Sequence, residues 1–131
     1  EGNYTRPVGE IVWMEKYSRV LTNVDDAAAD DKILYLEVLS EGKVPKGVRA
    51  VHLKSQLENS SITSGQGIQY GATSAGNSGY PLNNYPPVNA VRNTSNGWVW
   101  CDTNGDIYQN VTEAGATLSD HYLDVMGVEL R

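Results

Sequence analysis

Nowhere does this chain keep apolar residues at helical spacing for long; its apolar segments are short and are closed off by Gly, Pro and Asn. Such punctuation confines a chain to short strands joined by turns, because Gly supplies positive φ, Pro fixes φ, and neither continues a helix. Several short strands with turn residues between them predict an all-β chain, an antiparallel two-sheet sandwich of jelly-roll or Greek-key type. At 131 residues it is read as a single domain spanning 1–131, with 1–30 as an N-terminal arm or extra strand.

Individual strands can be placed. From Val48 to Leu57 the sequence alternates, with Val51, Leu53 and Leu57 on one face and Ala50, His52 and Lys54 on the other; Arg49 falls on the Val51 parity, so the alternation fails at the start. Ile33 to Leu39 is apolar except for Glu37 and is read as a strand in preference to the end of a helix running through Ala27, Ala28 and Ala29. Asn104-Gly105 predicts a type I′ hairpin pairing Trp98–Asp102 with Asp106–Val111, Cys101 opposite Tyr108 and Trp100 opposite Gln109. In the first of those strands Val99 and Cys101 are expected to face the second sheet, leaving Trp98 and Trp100 partly open. Ile11 to Leu21, Val88 to Arg92 and Tyr122 to Leu130 complete the set, the last with Leu123 and Val125 on one side.

The formal charge of −6 leaves no basic patch to displace counterions, so neither nucleic acid nor an anionic membrane surface is an expected partner. No apolar run approaches the ~20 residues of a membrane-spanning helix. Cys101 has no second cysteine to bridge to, and in the run Trp98-Val99-Trp100-Cys101 it reads as a small buried hydrophobe. Sequons at Asn3, Asn59, Asn93 and Asn110 are matches that an Asn- and Thr-rich chain produces by chance.

Chemistry has few candidates. His52 is assigned to a solvated strand face and His121 to a strand entrance, neither at zinc-ligand spacing. Asp102, Asn104 and Asp106 have the 1-3-5 spacing of a calcium loop, with Glu113 at position twelve, but Ile107 stands where that loop needs Gly. Asp25, Asp26, Asp30 and Asp31 read as a solvated loop. Gly76-Asn77-Ser78-Gly79-Tyr80-Pro81 is similar to the nucleophile loop of chymotrypsin-like serine proteases, with Asn77 and Tyr80 where that loop has Asp and Gly; 131 residues are too few for its two barrels. No catalytic residue, metal or cofactor is expected.

Between Asn59 and Cys101 the chain carries one formal charge, Arg92, and is built of Asn, Ser, Thr, Gly, Gln, Tyr and Pro. That mixture suits a contact surface, Tyr giving area at low entropy cost, and equally suits loops. A ligand site is therefore expected on Tyr70, Tyr80 and Tyr85, whose rings stack on a sugar's apolar face, with Asn77, Asn83 and Asn84 bonding hydroxyls. Contact with sugar, contact with a protein and loop packing all remain open.

The run Val44-Pro45-Lys46-Gly47-Val48-Arg49-Ala50-Val51-His52-Leu53, the Asn/Gly-rich middle, Cys101-Asp102-Thr103-Asn104-Gly105-Asp106-Ile107-Tyr108 and Leu123-Asp124-Val125-Met126-Gly127-Val128 together resemble a β-sandwich module of tailed-bacteriophage structural proteins, as in head fibres, decoration proteins and tail-fibre tips. The resemblance runs from Ile33 onward. It implies non-enzymatic display on a virion surface as a homo-oligomer, a trimer, contacting a capsid or tail protein or a cell-surface glycan. The alternative is a carbohydrate-binding module of a larger enzyme or adhesin, extracellular and monomeric.

Overall fold

A computed structural model describes residues 10–26, 32–57, 67–72, 82–84, 93–112 and 118–131. Its strands are β1 (Ile11–Asp26), β2 (Lys32–Leu34), β3 (Ala50–Leu57), β4 (Gly67–Gly71), β5 (Leu82–Asn84), β6 (Asn93–Trp100), β7 (Ile107–Thr112) and β8 (Leu118–Glu129), with one short helix, α1 (Leu36–Leu39). They form two four-stranded sheets, ordered β1-β8-β3-β6 and β2-β7-β4-β5. The antiparallel pairs β1/β8, β2/β7, β3/β6 and β4/β5 are those of a chain doubled back on itself at β4/β5. Rolling that doubled ribbon so that successive pairs fall in opposite layers gives a jelly roll. The expected antiparallel sandwich is therefore present, in its jelly-roll form.

Rolling has a local consequence: apart from β4 to β5, every connection crosses from one sheet to the other. The expected hairpin between β6 and β7 does not exist, since β6 pairs with β3 and β7 with β2 and β4. Asn104-Gly105 closes an arch instead. The amide of Gly105 donates to the Asp102 carbonyl at 3.0 Å, and positive φ occurs at Gly105 (+85°) but not at Asn104, so the turn is not type I′. The Asp102 carboxylate accepts from the amides of Asn104 and Asp106, at 2.9 and 3.0 Å. Both calcium-spaced carboxylates are thereby engaged with backbone, because Asp106 also accepts from the Leu36 amide at 3.0 Å. Glu113 lies outside the described residues.

That last bond explains a second departure. Ile33–Leu39 is not one strand: β2 stops at Leu34, and Asp106 captures the amide of Leu36 to start α1, which buries Leu36 completely and leaves Val38 71% exposed. Asp25 and Asp26 likewise belong to β1 and not to a loop, while Asp30, Asp31 and the expected strand Val88 to Arg92 lie outside the described residues.

The core draws on both layers. Val51, Leu53 and Leu57 of β3 and Leu123, Val125 and Val128 of β8 meet Ile68 and Tyr70 of β4, Leu82 of β5 and Ile107 of β7. Val99 and Cys101 are buried and Trp100 is 54% exposed, as the alternation of β6 predicts. Burial, and then the nearby carboxylates of Asp102 and Asp106, push the Cys101 thiol up to about 12, which keeps it protonated and unreactive.

Candidate recognition face

The outward side of the β1-β8-β3-β6 sheet carries an aromatic strip that a break in strand register creates. His52 is in register with Gly127, yet Leu53 is in register with Val125, so Met126 is an extra residue in β8. Without that bulge Gly127 would point inward with Leu123 and Val125; with it, Gly127 turns outward and Val128 turns into the core. β1 bulges at the same height, its residues 14–17 standing between the Trp13/Gly127 and Ser18/Val125 partners.

One row therefore crosses the sheet as Trp13 (β1), Gly127 (β8), His52 (β3) and Trp98 (β6). The glycine is required there: a Cβ on Gly127 would lie 2.8 Å from Cε3 and 3.2 Å from Cζ3 of Trp13, so the indole rests on bare backbone. Ring centroids of Trp13 and His52 are 5.3 Å apart, of Trp13 and Trp98 5.4 Å, and of His52 and Trp98 5.2 Å, with the His52–Trp98 planes at 87°. These are edge-to-face and tilted contacts in the range where aromatic pairs attract. Trp13 nonetheless keeps 58% of its surface in solvent. The next row holds Ile11, Glu129, Ala50 and Trp100, with the Arg49 guanidinium 5.0 Å from the Trp100 ring centroid and 3.7 Å from a Glu129 oxygen. On the other side of the strip come Arg19, Asp124, Lys54 and Asn96. Arg19 grips Asp124 through Nε and Nη2, at 2.8 and 3.2 Å, and lies over the rings of Tyr17 and Tyr122.

His52 is thus wedged between indoles and does not sit on a wet strand face as expected. Its Nδ1 is buried with no hydrogen-bond partner among the described residues, and this desolvation holds the imidazole below its ordinary value. As pH falls below about 6.5, the unfolded chain takes up a proton that the folded cluster resists, so stability is lost on acidification through that window. Urea midpoints at pH 7.5 and pH 5 are expected to differ more for the natural protein than for His52→Gln; equal differences would refute the assignment.

The expected site residues do not come together as a surface. Tyr70 and Asn84 are fully buried, which corrects their reading as outward contacts. The Tyr70 hydroxyl lies 2.6 Å from Nε2 of His121 and 3.4 Å from Oγ of Ser55. Asn84 donates through Nδ2 to the carbonyl and Oγ of Ser55, each at 3.1 Å, and accepts from Asn93 at 2.6 Å. That bond engages the Asn93 side-chain nitrogen, the atom that a glycan on this sequon would take. His121 is fully buried, not at a strand entrance. Asn83 is exposed on β5, and Tyr80, Tyr85 and Asn77 lie outside the described residues.

Sequence alternation missed the aromatic strip because Trp13 reaches Trp98 only across β8 and β3, and a one-residue bulge sets which way Gly127 points. Among the described residues no group of three or more His, Cys, Asp or Glu is placed to hold a metal ion. A second apolar feature, a cleft of about 220 Å³ between β2 and α1, is lined by Leu21, Ile33, Tyr35, Val38 and Leu39. Comparison of the sequence with protein-family models and with curated proteins finds no match.

Proposed function

We propose that this jelly roll is a non-catalytic adhesion module that meets its target with the outward face of the β1-β8-β3-β6 sheet. The observation that carries the reading is the aromatic strip itself: Trp13 and Trp100 keep more than half of their surface in solvent, at 58% and 54%, while neighbouring side chains fix them in place. Exposed indoles held ready for contact supply area without an ordering cost at binding. The Ser55, His121 and Tyr70 group, which has the side-chain types of nucleophilic catalysis, is sealed in the core and serves packing. A virion surface, with a capsid or tail protein or a host glycan as target and copies of this chain as neighbours, is the setting that the phage-module resemblance supplies. Jelly rolls serve as both capsid and lectin domains, which suits either this setting or the alternative of a carbohydrate-binding module.

Labelled protein is expected to attach to bacterial envelopes, and the Trp13→Ala/Trp100→Ala double variant to lose at least tenfold in affinity while remaining folded, by circular dichroism, at the temperature of the assay. The exposed change Val38→Ser, on α1, is expected to leave attachment unchanged. Equal attachment by the double variant would refute the assignment of the face. Sedimentation separates the settings, an oligomer supporting virion assembly and a monomer the carbohydrate-binding alternative.

A further inference from the structure

Resting on the adhesion reading, the same face narrows the chemistry of what it meets. We infer that the strip of Trp13, His52, Trp98 and Trp100 is a binding site for a neutral oligosaccharide.

Size argues first. Four strands about 4.8 Å apart and two rows about 7 Å apart make a strip roughly 14 Å long and 7 Å wide. Stable protein interfaces bury about 800 Å² on each partner, far more than the strip offers. A few pyranose units laid end to end match it.

Charge argues second. The row Trp13, Gly127, His52 and Trp98 contains no acidic or basic side chain other than the imidazole, and each flanking row closes on its own ion pair, Arg49 with Glu129 and Arg19 with Asp124. Lys54, in register with Asp124 and Asn96, is the remaining charged side chain of those rows, a single ammonium beside an ion pair, and the chain's net charge of −6 disfavours polyanionic glycans. Hydrogen-bonding groups nevertheless stand beside the rings: Lys54 and Asn96 in the adjacent row, then Gln56 and Thr94. An apolar ring face edged by polar groups is what a sugar, with one apolar face and equatorial hydroxyls, requires.

Ring presentation argues third. Trp13 is backed by Gly127 and braced by His52 and Trp98, so its outer side is offered in one orientation. Trp100 lies two residues from Trp98 along β6, about 7 Å away, with Arg49 against it. A linear glycan could contact both indole groups at once.

The test titrates the whole chain with neutral hexasaccharides of glucose, N-acetylglucosamine, mannose and galactose, and with polygalacturonate as an anionic control, reading tryptophan fluorescence and calorimetric heat. At least one neutral sugar is expected to bind saturably, with affinity reduced at least tenfold in Trp13→Ala and in Trp100→Ala and unchanged in Val38→Ser. Absence of neutral-sugar binding up to millimolar concentration, with envelope attachment still lost in the double tryptophan variant, would overturn the sugar and leave adhesion through this face standing. Loss of neither would remove both readings. Binding of polygalacturonate alone would overturn the neutrality of the ligand.

Discussion

Replacing His121 with Ala is expected to cost on the order of 4 kcal/mol of folding stability, because a cavity and unsatisfied polar partners arise together. His121, Ser55, Tyr70 and Asn84 are all fully buried. Ser55 on β3, His121 on β8 and Asn93 on β6 come from one sheet, Tyr70 on β4 and Asn84 on β5 from the other. Their bonds therefore tie the two layers by directional contacts in addition to apolar packing. Removing the imidazole takes Nε2 away from the Tyr70 hydroxyl at 2.6 Å and from Ser55 Oγ at 3.4 Å. Tyr70→Phe, which keeps the ring and drops only the hydroxyl, is expected to cost about 1 to 2 kcal/mol. The pair His121→Leu with Tyr70→Phe is expected to cost less than the sum of its single changes, since no polar group is then stranded by its partner's loss. Urea unfolding at constant slope measures the natural protein, His121→Ala, the single changes His121→Leu and Tyr70→Phe, and their pair. A loss below 1 kcal/mol for His121→Ala would show that the contacts are incidental.

This polar layer was legible in part. Ser55 shares the parity of Leu53 and Leu57, and His121 that of Leu123 and Val125, so each is a polar residue on an inward face. Inward polar residues demand partners, and that demand was the available signal. The partners themselves, Tyr70 and Asn84, were hidden because β4 and β5 belong to the opposite sheet. Their uncharged stretch looked like surface material, yet the described parts of it on β4 and β5 are largely interior strand: Ile68 and Tyr70 are fully buried and Leu82 nearly so. Absence of charge there reflects the cost of burying it.

Elsewhere, period-two patterns gave the right faces for β3 and β6, since alternation is a local property that burial must obey. They could not give pairing. Asn104-Gly105 carried a true turn signal, but whether the next strand returns to the same sheet is decided by contacts far along the chain. The helix α1 depended on one such contact, Leu36 with Asp106, seventy residues apart. The aromatic strip depended on four strands and a bulge at once.

Gly105→Ala is expected to cost at least 3 kcal/mol, and the comparison with Gly42→Ala isolates why. Both glycines have nearly the same positive φ, +85° and +84°, so both substitutions bear the left-handed penalty of about 1 to 2 kcal/mol. Around Gly42 an added Cβ would meet nothing within 4 Å. At Gly105 it would lie 2.6 Å from the Gly47 nitrogen and 2.8 Å from the Val48 nitrogen, backbone atoms that no rotamer change can move aside. The approach is close because this is where separate connections are tied: the Gly47 amide donates to the Asn104 carbonyl at 2.9 Å, Asp106 holds the start of α1, and Arg131 donates to the carbonyls of Gly47 and Asp102. Moving the arch by the distance a methyl needs would lengthen several of these bonds together, so the cost exceeds the conformational penalty alone. Gly42→Ala should accordingly lose about 1 kcal/mol and Gly105→Ala several times that, measured as urea midpoints at equal slope. If the two variants lost the same amount, the close approach of the β6–β7 arch to the Gly47 turn would contribute nothing, and the arch would be held by its own turn geometry.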